Sequence, residues 1–343
     1  MIKNTLLLIG AVLLGSLITL TACSSSKSDL AHQSLSATGV TASVSVKAAP
    51  VREAATAKPE SHSLWNSELF NDSRFQLNIQ LTEREKKEAK KMARNFEAHM
   101  DSSSLFMYHL LSELKKRNLP VELAALPLVE SGFNPRARSH AGAHGPWQFI
   151  RSTGKALGLE RTSNYDEFYD FIESTDASLR YLEHLYRECG ENWDLAVAGY
   201  NQGEFAIKKA IRRAKANGVK DINFNTVRLT AHANLYVYRF HAYADILRHP
   251  ENYGVSRPEI ENRPAFKRVQ VAGRVNSMRQ AARLSGTSLS TLKHLNAGYL
   301  SDSLKSNKQR GLLVPVENVN RLEHAIGIEA AGDKGTTLSA SND

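Results

Sequence analysis

Apolar residues at helical spacing recur through most of the chain between residues 65 and 250, and this periodicity constrains the fold more than any other feature. Thr82 and Glu85 fit a capping box at a helix start, and Ala89, Phe96 and Met100 continue one apolar face. Strand patterns are scarce before residue 264, so this part is predicted to be mainly α. Further helices are predicted over "SLFMYHLLSELKKRN" and over residues 120–131, 174–188, 194–202, 204–216 and 230–247.

The pattern changes after Pro264. "FKRVQVAG" alternates like a strand, "SMRQAARLSG" and "SLSTLKHLNAG" have the spacing of two short helices, and "GLLVPV" is typical of a closing strand. We therefore expect a β-α-α-β unit over residues 264–326 and a disordered tail over 328–343. The predicted fold class is mainly α, with a helical domain over 65–250 followed by a small α+β unit.

The amino terminus has the layout of an exported protein. Lys3 supplies a positive charge, residues 5–20 are almost wholly apolar, and the four residues ending at Cys23 resemble the bacterial lipobox. These features predict a signal peptide over residues 1–22 and a lipid anchor at Cys23. The alternative is an uncleaved anchor helix, for which about 16 apolar residues are short.

The residue after the lipobox predicts the membrane, and the segment behind it predicts a tether. Ser24, rather than an aspartate, follows the cysteine, which in such lipoproteins favours the periplasmic face of the outer membrane. Residues 24–60 hold no Phe, Trp or Tyr and cannot bury enough apolar surface to fold. We expect residues 23–64 to form the lipidated cysteine and a flexible tether.

Composition is that of a globular protein with a basic balance. The 343 residues are 42% hydrophobic and 23% charged, and the formal net charge is +9. Long Lys/Arg runs and a mixed basic and aromatic stripe are both missing from the sequence, so a nucleic-acid partner is not predicted. The charge instead favours an anionic surface or a polymer that carries carboxylates.

Metal and cofactor motifs are weak. His140 and His144 are four apart but lie in a Gly/Ala-rich loop, and no His-Glu-x-x-His occurs, so no metal is predicted. Thr153-Gly154-Lys155-Ala156 lacks the spacing of a P-loop, and no cofactor is expected. Cys189 shares a helical face with Leu182 and is predicted to be a small core residue.

One glutamate stands out in "LPLVESGFNPRA". Glu130 ends an apolar run at the carboxyl end of a predicted helix, which Gly132 is placed to terminate. Apolar surroundings and the negative end of the helix dipole both raise a carboxyl pKa. A carboxyl group protonated near neutral pH is what a general acid requires. The alternative is a solvated glutamate at a helix end.

Three later segments add side chains that suit a sugar. The loop "AHGPWQF" presents Trp147, whose indole can cover an apolar sugar face, and Gln148, whose carboxamide can pair with an N-acetyl group. "AGYNQGE" ends a short helix on Tyr200 and Asn201, and Tyr236 is predicted on a later helix. A packing role for Trp147 is the alternative.

Together these segments resemble the lytic transglycosylase family with its lysozyme-like SLT domain. The resemblance rests on "LPLVESGFNPRARS", "AGAHGPWQFIRSTGKALGL", "DFIESTDASLRYL", "NWDLAVAGYNQGE" and the Tyr236 segment, in that order. It implies a lysozyme-like fold and peptidoglycan glycan strands as substrate, with Glu130 as catalytic acid and base. It further implies substrate-binding or positioning roles for the following residues: Ser131, Gly145, Trp147, Gln148, Tyr200, Asn201 and Tyr236.

The sequence departs from the family pattern at several places. Gly199 and Gln202 replace the alanines that usually flank Tyr-Asn, and Arg151 stands where a proline is usual. "AHANLYVYR" replaces a Glu-Thr-x-x-Tyr-Val-Pro run, which puts the role of Tyr236 in doubt. The glutamate itself is retained.

The number of carboxylates favours a particular reaction. Most glycoside hydrolases need two acids astride the bond, but residues 131–159 contain no Asp or Glu. The nearest acids after Glu130, which we expect at helix starts and on the surface, are Asp166, Glu167, Asp170 and Glu173. The expected reaction uses one carboxyl group and the substrate's own C6 hydroxyl, and it yields a 1,6-anhydromuramoyl end without water.

Two other functions stay open on the sequence. One is a hydrolase similar to goose-type lysozyme, which needs a second acid in the cleft. The other is a non-catalytic peptidoglycan-binding lipoprotein, which has no need of Glu130. Residues 264–326 resemble the LysM glycan-binding module faintly, and a purely structural cap is the alternative. The chain is expected to act as a monomer.

Overall fold

The computed structural model describes residues 62–304 and 310–328. The predicted signal peptide, Cys23, nearly all of the tether and the tail beyond residue 328 lie outside the described residues. Those that are described belong to one compact unit. None of their helices is both long and apolar enough to cross a membrane.

Helices dominate the part of the described chain that precedes residue 264. Its α-helices are α1 (Glu68–Asn71), α2 (Glu83–Met92), α3 (Phe96–Ser103), α4 (Met107–Lys116), α5 (Leu126–Ser131), α6 (Arg151–Ala156), α7 (Phe171–Glu188), α8 (Trp193–Gln202), α9 (Glu204–Ala216) and α10 (Ala231–Arg248). Short 3-10 helices cover Leu64–Asn66, Ser73–Phe75, Ala93–Asn95, Val121–Ala125 and Pro250–Tyr253. Strands β1 (Ala143–His144) and β2 (Phe149–Ile150) form an antiparallel hairpin.

The predicted helical character is confirmed, with most boundaries within three residues. The capping box is also confirmed: Glu85 Oε2 accepts from the Thr82 backbone N–H at 2.7 Å, and Thr82 Oγ1 accepts from the Glu85 N–H at 3.4 Å. Cys189 is 1% exposed, as predicted for a core residue.

The single helix predicted over residues 120–131 is wrong. The chain forms a 3-10 helix over Val121–Ala125 and then α5. Pro127 lies in the first turn of α5, where its missing N–H leaves no unpaired donor. The change of helix type therefore follows from the proline that the sequence carries inside this apolar run.

Helix α10 runs through the middle of the domain and packs against α2, α5 and α8. A buried ionic cluster fixes three of these helices. His241 on α10 lies 2.6 Å from Glu85 of α2 and 2.8 Å from Asp194 of α8. Burial alone lowers a histidine pKa, but these two carboxylates raise that of His241 to about 9. The imidazolium is therefore charged at neutral pH and ties the helices together.

The carboxyl-terminal unit has its own core. Strands β3 (Phe266–Val269) and β4 (Leu312–Pro315) lie in the two segments where the sequence predicts strands, and they pair antiparallel. The helices are α11 (Met278–Ser285), α12 (Leu289–Leu295) and α13 (Val316–Ala325), of which α13 was not predicted. Apolar residues from all five elements form a second buried cluster.

Direct hydrogen bonds join this unit to the segment before α7. The Asp166 N–H donates to the Gly298 carbonyl at 2.8 Å, and the Leu300 N–H donates to the Asn164 carbonyl at 3.0 Å. The ring of Tyr165 lies 4.7 Å from that of Tyr299 and perpendicular to it. The unit is therefore docked on the helical domain through backbone pairing as well as aromatic packing.

Candidate active site

Glu130 lies in the last turn of α5, as the sequence predicts. Gly132 ends the helix in the left-handed conformation (φ +59°), and a Cβ there would lie 2.5 Å from the His99 ring, so any other residue would be strained and would displace His99. Glu130 is partly buried, and Oε1 accepts a hydrogen bond from the Tyr236 hydroxyl at 2.5 Å. Burial raises its pKa from 4.5 to about 7, although the Tyr236 hydrogen bond acts in the opposite direction.

Tyr200 and Tyr236 both lie within electrostatic reach of this carboxyl group. Burial, and then the charge of Glu130, raise the pKa of each phenol well above its usual value, so both stay neutral. The Tyr200 hydroxyl donates to the Trp147 carbonyl oxygen at 2.8 Å and lies 3.3 Å from Ser178 Oγ. The structure thus brings α5, α8 and α10 together around one acid.

The expected platform role of Trp147 is wrong for its side chain. The indole is 0% exposed, and its Nε1–H donates to Thr175 Oγ1 of α7 at 2.9 Å. A ring packed in the core cannot present a face to a sugar. The residue instead contributes its backbone carbonyl, which holds the Tyr200 hydroxyl. The packing alternative is the one that fits.

The loop around Trp147 is folded tightly. Gly145 has φ +80°, and a Cβ there would lie 1.7 Å from the Phe168 carbonyl oxygen, so no side chain can be accommodated. Gln148 also has a positive φ (+49°), and its Nε2 donates to the Gly145 carbonyl at 2.7 Å. Ser131 Oγ donates to the Pro146 carbonyl at 2.8 Å and so joins α5 to this loop.

Asn201 follows Tyr200 at the end of α8. Its Oδ1 is buried and has no hydrogen-bond partner among the described residues. An unsatisfied buried acceptor typically costs about 1–3 kcal/mol. Such a cost is common where a polar group is reserved for a ligand.

The surface location expected for the later acids is wrong for three of them. Asp166, Glu167 and Asp170 are 0%, 7% and 3% exposed. Each has its own partner, because Asp166 pairs with Arg151 at 2.6 Å, Glu167 pairs with Arg310, and Asp170 caps α7. The helix-start role predicted for Asp170 is confirmed. Among the described residues, no second carboxylate forms a pair with Glu130 or shifts its pKa.

Comparison with known proteins identifies the family to which a chain with this site belongs. Residues 107–223 match the transglycosylase SLT domain model, a range that includes Glu130 and Tyr200 but not Tyr236. The chain is 34% identical over 339 residues to the membrane-bound lytic murein transglycosylase D of Escherichia coli strain K12. That alignment covers 97% of this chain and 73% of the relative. This chain belongs to the membrane-bound lytic murein transglycosylase D family.

The carboxyl-terminal unit matches a model specific to the same family. Residues 265–326 match the LysM-like domain of the lytic transglycosylase MltD. Among solved structures, an inactive variant of the lytic transglycosylase Slt from Pseudomonas aeruginosa aligns with a TM-score of 0.34 and 22% identity. The alignment covers 42% of this chain and 24% of that one.

Some residues around the acid were not anticipated from the sequence of this transglycosylase. Tyr181 and Phe149 lie with ring centroids 5.8 and 5.9 Å from that of Tyr200, and Ser178 contacts its hydroxyl. Ser178 and Tyr181 are three apart on α7. The sequence signal that could have pointed to them is this spacing of three, which places a polar and an aromatic side chain on the same face of α7.

Proposed function

We propose that this transglycosylase cleaves the MurNAc–GlcNAc bond of peptidoglycan without water and forms 1,6-anhydromuramoyl ends. The observation that supports this most is the state of Glu130, whose carboxyl group has a pKa near 7 and accepts one phenolic hydrogen bond. Within the described part of the chain, no second carboxylate acts on it. Membership of the lytic murein transglycosylase family supports peptidoglycan as the substrate.

The reaction has two steps. Protonated Glu130 first donates its proton to the glycosidic oxygen, the bond to the anomeric carbon breaks, and the substrate's N-acetyl group stabilises the positive charge. The Glu130 carboxylate then takes the proton of the C6 hydroxyl as that oxygen bonds to the anomeric carbon. Because the nucleophile belongs to the substrate, no water-activating acid is required. A pKa near 7 suits a carboxyl group that must first donate a proton as an acid and then accept one as a base.

The neighbouring residues have positioning and binding roles in this proposal. Tyr236 orients Glu130, while Tyr200, held by the Trp147 carbonyl, lies on α8 within electrostatic reach of the same acid. The Oδ1 of Asn201, which has no hydrogen-bond partner among the described residues, is an acceptor for substrate N–H or O–H groups. Gln148 holds its Nε2 on the Gly145 carbonyl, so its carboxamide oxygen is placed as a second acceptor. Gly145 and Ser131 hold the loop that carries Gln148.

Product analysis tests the reaction. Residues 24–343 are incubated with purified sacculi, and the released fragments are analysed by mass spectrometry. We expect 1,6-anhydromuramoyl ends that are one water lighter than reducing ends. Reducing ends would refute the non-hydrolytic mechanism and point to a hydrolase. Binding of sacculi without any release would refute catalysis.

We further propose that the chain is a lipoprotein anchored through Cys23 to the periplasmic face of the outer membrane. The lipobox-like sequence supports the anchor, and the membrane-bound relative supports membrane association. The test is fractionation of cells that express the chain or Cys23→Ser. The unaltered chain is expected in the outer membrane, and the variant is expected to be lost from that fraction. Equal recovery of both in the outer membrane would contradict the lipid anchor.

The domain limits also stay a proposal, with a monomeric catalytic domain over 65–250 and a LysM-like unit over 264–326. The two matched models, over 107–223 and 265–326, support this division. Size-exclusion chromatography with light scattering tests the oligomeric state, and a dimeric mass would overturn the monomer.

A further inference from the structure

A depression of about 460 Å³, half of whose lining residues are arginines, lies where the LysM-like unit meets the helical domain. Four guanidinium groups, those of Arg136, Arg138, Arg151 and Arg161, line it together with His144, Asp166, Tyr169 and Leu300. We name these four residues and the space between them the arginine pocket. The residues come from separate segments, so no run of basic residues marks the pocket in the sequence.

The pocket has an excess of positive charge. Among the described residues, one carboxylate lines it, that of Asp166, whose side chain is 1% exposed. Arg151 donates to both oxygens of Asp166, at 2.8 and 2.6 Å, and Arg161 lies 3.5 Å away. Arg138 is exposed and makes no ion pair among the described residues. His144 adds no charge at neutral pH, because burial and the nearby arginines lower its pKa.

Two of the guanidinium groups are held in place. Arg151 lies with its central carbon 4.2 Å from the centre of the Phe168 ring, in addition to its bonds with Asp166. Arg136 donates through Nη2 to the Tyr299 carbonyl at 2.7 Å. A guanidinium has five N–H donors, so both keep donors that these contacts do not use. Fixed donors with spare capacity are suited to carboxylates, which they can bind in pairs.

The arginine pocket is built on the same segments as the active site. Arg136 and Arg138 follow Glu130 on the chain, and the Gly145 N–H donates to the Ala137 carbonyl at 2.9 Å. The pocket also continues into a second depression of about 310 Å³, because Arg136 and Leu300 line both and Lys293 lies in the second. Asp302 lines the second depression as well and offsets Lys293, so the excess of positive charge belongs to the arginine pocket, which reaches the LysM-like unit at Leu300.

We propose that the arginine pocket binds carboxylates of the acidic peptides attached to the glycan strand. The inference rests on the proposed function, since it takes peptidoglycan as the polymer bound at Glu130. The sugars of the strand are mostly neutral, whereas its peptides carry several carboxylates. Four guanidinium groups around one satisfied aspartate match that chemistry, and they couple recognition of the peptide to cleavage of the strand.

A double variant tests the pocket against a control with the same change of charge. Arg138→Gln with Arg161→Gln removes two exposed pocket residues, while the Asp166 contact with Arg151 is kept. Arg212→Gln with Arg213→Gln removes two exposed charges from α9. Each protein is assayed on sacculi and on glycan strands stripped of peptides by an amidase. For each protein, kcat/KM on sacculi is divided by kcat/KM on the stripped strands. We expect this ratio to fall about fivefold for the pocket variant and to stay unchanged for the α9 control.

Binding is measured separately from cleavage. The peptides released by the amidase are titrated into each protein in the Glu130→Gln background, and weaker binding is expected for the pocket variant alone. If the protein with Glu130 intact cleaves neither substrate but still binds the peptides through the pocket, the proposed function is refuted and the peptide-binding role of the pocket stands. An unchanged ratio with unchanged peptide binding would overturn the pocket, as would an equal loss in the α9 control. Pocket-dependent binding to anionic phospholipid vesicles instead of peptides would also overturn it.

Discussion

Replacing Glu130 with glutamine is expected to lower kcat on sacculi by about 10³-fold, because it removes the carboxyl group that gives and takes the proton in the proposed reaction. The amide keeps the size of the side chain and can still contact the Tyr236 hydroxyl. Binding of the polymer should therefore persist. The measurement is the rate of release of soluble fragments, together with sedimentation of the protein with sacculi.

The matched control is Glu251→Gln, which removes the same charge from an exposed position after α10. Its activity should equal that of the unaltered protein. Residual activity of Glu130→Gln above about a tenth would mean that another group transfers the proton. In that case the acids near α7 would need to be tested one by one.

The same substitution should stabilise the fold at alkaline pH. The pKa of Glu130 is about 7 in the folded protein and 4.5 in its ordinary state, so the folded chain binds more protons between these values. The free energy of unfolding therefore falls as pH rises from 4.5 through 7, by about 3 kcal/mol in total. Glu130→Gln should melt at a higher temperature at pH 8 and at an equal temperature at pH 4. An equal Tm at pH 8 would contradict the raised pKa.

The sequence predicts the helices well because their apolar periodicity extends over ten or more residues. The prediction fails where an element is only a few residues long, or where its position depends on contacts with residues far away in the sequence. The two-residue strands Ala143–His144 and Phe149–Ile150 are too short to show alternation. Helix Val316–Ala325 follows β4 directly at Pro315, with no loop residues to separate the two elements.

The site was predictable in its chemistry but not in its packing. Glu130 could be identified because an acid after an apolar run is locally unusual. The burial of Trp147 depends on Thr175, which is 28 residues away, and that of Glu167 depends on Arg310. Partners at such separations leave no local pattern. The arginine pocket escapes sequence analysis for the same reason.

Tyr236→Phe is expected to lower kcat about tenfold and to move the alkaline limb of the pH profile upward. The Tyr236 hydrogen bond favours the ionised form of Glu130, so it lowers a pKa that burial raises. Without it the pKa of Glu130 rises further. The acid form then persists to higher pH, while the carboxylate loses a charge-assisted hydrogen bond that supports its action as a base.

The measurement is kcat and kcat/KM over about four pH units centred on the Glu130 pKa, from roughly pH 5 to pH 9. Tyr238→Phe is the matched control, because its hydroxyl lies two residues further along α10 and makes no hydrogen bond among the described residues. A limb that stays in place, or moves to lower pH, would show that Tyr236 does not act on the acid. A merely structural role would lower stability without moving the limb. The direction of this shift therefore separates a tyrosine that tunes Glu130 from one that only packs beside it.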